Sequence, residues 1–336
     1  MSRAYRRFGL ERDPFLDTSD PHFFWEMPAV ARAKAKLLSS IEESRGLTVV
    51  IGDPGSGKTS LSLAVETTLL VRDDVLLGKI LDPHFASETE FLLAVGRAFG
   101  LGLPARTPAF LKNALKNFLF DTAVLESRTV VLFFDEAQTL SPESIETLRL
   151  LLNFDIPQRK LINLVLFGQS ELEPRILGQR NLYDRVDGWI RLGPLDEQAA
   201  RALILHRLAR SGARDPQAIF TENALDIVVR AAAGLPRRLI RVARGAMEEA
   251  AAHGQSRIFE EQALLAARDR GLVVQARREV PTPSTAASAA MPPPPPLPEP
   301  VPVMAGGIPE ARMPVPESGR RIGGFMRFFN TRRQGV

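Results

Sequence analysis

The sequence predicts an α/β protein, a parallel five-stranded sheet followed by a small helical domain. Three observations carry that expectation. Short, nearly continuous apolar runs alternate with longer helical patterns from residue 47 to 192, as in strands covered on both faces by helices. From about residue 196 the strand signal stops and only helical patterns follow. The first strand also runs directly into "GDPGSGKTS" (52–60), a Gly-rich turn that opens a helix.

The strand candidates are "LTVVIG" (47–52), "VLLGKIL" (75–81), "RTVVLFFD" (128–135), "LINLVLFG" (161–168) and "GWIRLG" (188–193). Each is short and rich in Val, Ile, Leu or Phe, and four read as buried on both sides. After the Gly-rich turn, "KTSLSLAVETTLL" reads as a helix. Beyond the sheet come "DEQAARALILHRLARSG", "TENALDIVVRAAAG", "LPRRLIRVARGAMEEAAAHG" and "FEEQALLAARDRG". Asp196 and Thr221 suit helix starts, and Gly212, Gly234 and Gly254 suit helix ends. The predicted organisation is a nucleotide-binding α/β domain over 1–195, a helical domain over 196–275, a Pro-rich disordered linker over 276–318 and a basic amphipathic tail over 319–336. Residues 281–318 hold 13 of the 26 prolines, a composition that packs no core and reads as a semi-extended spacer.

With 336 residues, 45% hydrophobic and 24% charged, the chain is neither broadly disordered nor membrane-like in composition. The absence of cysteine excludes disulfides, zinc–thiolate sites and thiol nucleophiles. No apolar run reaches the length of a spanning helix, and the first residues lack the apolar centre of a secretory signal. A cytoplasmic location is the expectation. The net charge of +4 becomes −1 without Arg320, Arg321, Arg327, Arg332 and Arg333, so the basicity belongs to the tail and not to a nucleic-acid footprint over the body. There Phe325, Met326, Phe328 and Phe329 interleave with the arginines. That pattern fits contact with an anionic membrane, docking on a protein groove, a phosphate backbone or a solvated end.

Gly52, Gly57, Lys58 and Thr59 complete the G-x-x-x-x-G-K-[ST] pattern. Backbone N–H groups of such a loop turn inward around phosphate oxygens, so Gly52, Asp53, Pro54, Gly55, Ser56, Gly57, Lys58, Thr59 and Ser60 are the candidate nucleotide cradle. Lys58 reaches the β and γ phosphates, and the Thr59 hydroxyl is offered to Mg²⁺. "TVVLFFDEAQ" then ends a buried strand in adjacent carboxylates, with Asp135 suited to Mg²⁺ and Glu136 to polarising the attacking water. Together these motifs point to an NTP hydrolase. Gln169, at the end of "LINLVLFGQS", either hydrogen-bonds the γ phosphate and its water or is only a residue at a helix start. Arg180 and Arg185, before the last strand, suit either a neighbour's γ phosphate or plain solvent exposure, and Arg237, opening a later helix, either the nucleotide of its own subunit or the surface; from spacing alone the surface reading is favoured.

Taken together, "FGLERDPF", "SDPHFFW", "GDPGSGKTS", "FFDEAQTLSPESIETLRLLLNFD", "LVLFGQSELE", "LGPL", "FTENALDIV" and "GLPRRL" resemble the AAA+ ATPases, and within them the ExeA-like general secretion pathway ATPases, over about residues 1–270. The resemblance implies a helical lid and ATP hydrolysis at subunit interfaces of a homo-oligomer tightened by ATP. It implies Gln169 as sensor 1, Arg185 as the arginine finger ahead of its competitor Arg180, Arg237 as sensor 2, and packing of Pro14–Pro28 near the adenine. Relatives in secretin assembly continue into a membrane-spanning helix and a peptidoglycan-binding module, and the sequence here shows a Pro-rich stretch and a short tail instead. The implied role is assembly of a secretion or pilus-type envelope machine, with a protein partner there and a peripheral position on the inner membrane. The alternative is a DNA-associated ATP switch of the transposition or replication type, for which the sequence offers no appended DNA-binding domain.

Overall fold

The first strand is β1 (Leu47–Gly52), whose six residues are all buried. A computed structural model describes residues 4–16, 20–157 and 159–272. The remaining strands are β2 (Val75–Ile80), β3 (Thr129–Phe134), β4 (Asp155–Ile156), β5 (Arg159–Lys160), β6 (Asn163–Gly168) and β7 (Val186–Leu192). Five form one parallel sheet in the order β2-β3-β6-β1-β7, with Leu47 opposite Leu164 and Thr48 opposite Gly188. Each of the five candidate runs is present, its ends within two residues of those expected.

Between and after them lie α1 (Pro28–Glu42), α2 (Lys58–Leu70), α3 (Glu88–Ala98), α4 (Pro108–Phe120), α5 (Pro142–Leu151), α6 (Leu172–Leu177) and α7 (Arg180–Tyr183). Strand periodicity sorts the buried side chains. Val130, Leu132 and Phe134 face the layer of α3, α4 and α5, and Val131 and Phe133 face that of α1 and α2. Both faces are therefore covered, which is why the strands read as unbroken apolar runs.

The helices that follow are α8 (Glu197–Arg210), α9 (Pro216–Ile219), α10 (Glu222–Ala232), α11 (Pro236–Ala252) and α12 (Glu260–Arg268). Asp196 caps α8 by accepting from the Ala199 N–H, and Thr221 caps α10 by accepting from Ala224. Leu225, Val228, Val229 and Ala232 recur at helical spacing on α10 and join Leu203, Leu239 and Val242 in a third core. Leu10 and Phe15, which precede the sheet, are buried in that same core.

The structure adds elements that the sequence reading lacked. β4 and β5 form a two-residue antiparallel pair, too short to leave a periodic pattern. A single parallel bridge, Phe220 with Ile258, lies among the helices, where no strand signal exists. The linker 276–318 and the tail 319–336 lie outside the described residues. Among those described, no helix is long and apolar enough to cross a membrane.

Candidate nucleotide site

At the carboxyl end of β1 the chain turns inward at positions only glycine fits. A Cβ on Gly52 would sit 2.4 Å from Ser56 Oγ and 2.9 Å from the Leu192 carbonyl oxygen. Gly55 has φ +83°, and a Cβ there would meet Arg237 Cβ at 2.6 Å. Gly57, at φ +104°, precedes α2 and supplies no side-chain cap, so the helix N-terminus keeps N–H groups for an anion. Lys58 is buried, and its Nζ donates to the carbonyls of Gly52 (2.8 Å) and Asp53 (3.2 Å). Burial holds its pKa below the ordinary lysine value, against the pull of Glu136, Asp135 and Asp53. Ser56 Oγ is buried without a hydrogen-bond partner. An ammonium turned back on its own loop and an orphaned hydroxyl both fit a cradle built for phosphate oxygens.

Across from this loop, the Asp135 N–H donates to the Ile80 carbonyl (2.8 Å) at the tip of β3. Burial pushes the Asp135 carboxyl up, and its Oδ1 accepts from the Glu136 N–H at 3.0 Å. Glu136 has φ +49°, a left-handed conformation costing a non-glycine residue on the order of 1 kcal/mol and common at functional sites. Its Oε2 accepts from Gln138 Nε2 (2.5 Å) and Gln169 Nε2 (3.3 Å). The Gln138 amide, then Gln169, Lys58 and Arg237, hold the Glu136 carboxyl below the usual range despite partial burial. Gln169, at the tip of β6, donates its backbone N–H to Gln138 Oε1 at 3.0 Å. The next residue, Ser170, donates to Asp53 Oδ1 (2.9 Å), tying that tip to the loop.

Residues from the helices beyond the sheet and from the first stretch close the pocket, of about 180 Å³. Pro54, Gly55, Gly57, Lys58, Thr59 and Ser60 line one side, with Glu136 and Gln169 facing them. Pro236, Arg237 and Ile240 of the α11 start, Arg207 of α8, and Leu16 form the rest. The Arg237 N–H donates to the Gly55 carbonyl at 3.3 Å. Arg207 is buried, donates from Nε to the Pro14 carbonyl (2.6 Å) and from Nη2 to that of Leu16 (3.1 Å), and lies over the Phe23 ring at 4.7 Å. Within the stretch Pro14–Pro28, Leu16 lines the pocket, and residues 17–19 lie outside the described residues.

Sequence reasoning missed Gln138, Arg207 and Ile240. Gln138 had a signal, since a tight turn after "DE" returns a long amide to Glu136. Arg207 had none, because an arginine in an amphipathic helix usually points to solvent.

Arg185 is not brought to this pocket. It precedes β7, at the end of the sheet opposite the Gly52 turn, and a seven-residue strand spans about 20 Å. There it lines a cleft of about 750 Å³ with Arg45, Arg149 and Lys160. Arg45 pairs with Glu43 (2.5 Å) and Asp187 (3.4 Å), Arg149 with Glu146 (2.6 Å) and Lys160 with Asp155 (2.5 Å). The Arg185 guanidinium has no such partner among the described residues. Arg180, at the start of α7, is exposed and lies outside the cleft lining.

Residues 41–176 match the family model described as AAA domain. General secretion pathway protein A of Aeromonas hydrophila is 32% identical over 266 residues, covering 77% of this chain and 47% of that protein. The chain thus spans about half the length of that relative. Cdc6p of Pyrobaculum aerophilum superposes with a TM-score of 0.59 at 16% identity, covering 75% of this chain and 70% of that one. The ORC2 protein of Aeropyrum pernix gives 0.54 at 17%, covering 77% and 72%. At such identities the two structures bear on the fold alone. With the phosphate-loop pattern and the acidic strand tip in agreement, residues 41–176 are an AAA domain, and the chain is related to general secretion pathway protein A.

Proposed function

We propose that this protein binds ATP with Mg²⁺ and hydrolyses it, and that the cycle drives or regulates assembly of a bacterial secretion or pilus-type envelope machine. The observation that supports hydrolysis best is the convergence of Lys58, Thr59, Glu136, Gln169 and Arg237 on one pocket. In this reading Gly52–Ser60 wrap the phosphates, and Lys58 exchanges its two loop carbonyls for the β and γ oxygens. Thr59 and Asp135 hold Mg²⁺, which when bound neutralises phosphate charge. Glu136 orients the attacking water and takes its proton, and Gln169 hydrogen-bonds the water or the γ phosphate. Arg237 acts on the nucleotide of its own subunit. Arg185, at the far end of the sheet from its own loop, acts on a neighbour's γ phosphate in a homo-oligomer that ATP tightens.

The envelope role rests on likeness to a general secretion pathway protein. In this reading the chain works in the cytoplasm beside a protein partner of that machine, and residues 319–336 contact anionic lipid at the inner membrane. One experiment separates this role from the DNA-associated alternative. Glu136→Gln protein trapped with ATP is offered anionic liposomes and duplex DNA together, with and without residues 319–336, and floated. Flotation that needs the tail supports the envelope reading. Protein that stays below with the DNA overturns it.

A further inference from the structure

Gln138 joins three elements of the hydrolytic site although it does not line the nucleotide pocket. Its Nε2 donates to Glu136 Oε2 (2.5 Å), its Oε1 accepts the Gln169 backbone N–H (3.0 Å), and its carbonyl accepts from Arg175 of α6. Only one orientation of the amide satisfies both side-chain contacts, because a carboxylate accepts and an N–H donates. The left-handed turn at Glu136, with Thr139 Oγ1 on the Glu136 carbonyl at 2.9 Å, brings the amide back over the carboxylate. Gln169 Nε2 approaches the same Oε2. Both amides thus occupy one carboxylate oxygen and leave Oε1 to the reaction.

We propose that Gln138 is a positioning residue for hydrolysis: it fixes the Glu136 carboxylate with Oε1 toward the water, and locks the β3 tip to the β6 tip that carries Gln169. This rests on Glu136 serving as the base. The role needs a side chain of this length that gives and accepts at once. Met fills the space and does neither, and Glu accepts from Gln169 but repels Glu136.

The test compares full-length wild type, Gln138→Met, Gln138→Glu and Glu136→Gln, with Gln138→Met also placed on Glu136→Gln. Gln138→Met should lower kcat about 10- to 100-fold, the range for losing a hydrogen bond to a charged group, while ATP Kd stays within about twofold. Gln138→Glu should lower kcat at least as far, and Gln138→Met should add no loss on the Glu136→Gln background. A wild-type kcat in Gln138→Met overturns the proposal, as does a multiplied loss in the double variant. Should Gln138→Met fail to fold, a wild-type kcat in Gln138→Glu overturns it equally. Full turnover by Glu136→Gln would instead sink the assignment of the base.

Discussion

Replacing Arg207 with Ala removes the guanidinium that holds the stretch before the sheet onto the helices after it. The losses include hydrogen bonds to Pro14 O at 2.6 Å and Leu16 O at 3.1 Å, and a ring contact to Phe23 at 4.7 Å. Bonds from a charged donor contribute about 1.5–3 kcal/mol each, and the ring contact about 0.5–2 kcal/mol. The freed carbonyls regain water once the stretch loosens, which offsets part of these losses, and a net loss of about 2–4 kcal/mol is expected. For a domain of this size that lowers Tm by on the order of 5–12 °C. Because Leu16 lines the nucleotide pocket, ATP affinity should fall too, by about tenfold, which makes the stabilisation by added ATP smaller. Thermal melts with and without ATP, together with direct titration of a fluorescent ATP analogue, read both effects. Arg207→Lys keeps the charge but not the planar fork, and should recover only part of each. An Arg207→Ala protein with wild-type Tm and affinity would refute the reasoning.

Gly55→Ala should weaken ATP binding at least about tenfold, since the new Cβ meets Arg237 Cβ at 2.6 Å and the backbone is left-handed; titration with unchanged affinity would count against it. Arg185→Ala should lose turnover while keeping ATP affinity, and regain part of it when mixed with Lys58→Ala, whereas Arg180→Ala should stay near wild type. No recovery at any mixing ratio contradicts action in trans. Burial lowers the Lys58 pKa, so its charge is complete below that depressed value and is lost as pH rises through it. ATP affinity measured across alkaline pH should therefore begin to fall before an ordinary lysine would titrate, and a flat profile to the usual lysine range opposes this.

Local chemistry made much of this protein legible. Buried strands wrote themselves as apolar runs because both faces of the sheet are covered, and the turn after β1 needed glycines that no other residue replaces. Carboxylates at the end of β3 stood out because ionisable groups are rare beside a buried strand. Helix caps at Asp196 and Thr221 were equally local, set by side chains within three residues of the N–H they accept.

What the sequence by itself determined was therefore the kind of chemistry and the layered α/β plan, since both depend on neighbours along the chain. Only the tertiary structure decided that Gln138 spans two strand tips, that Arg207 binds carbonyls nearly two hundred residues earlier, and that Arg185 faces away from its own loop. It also decided that Leu10 and Phe15 join the core of the later helices. Those facts come from contacts between segments far apart in sequence, and a side chain carries no local pattern for the partner that packing brings to it.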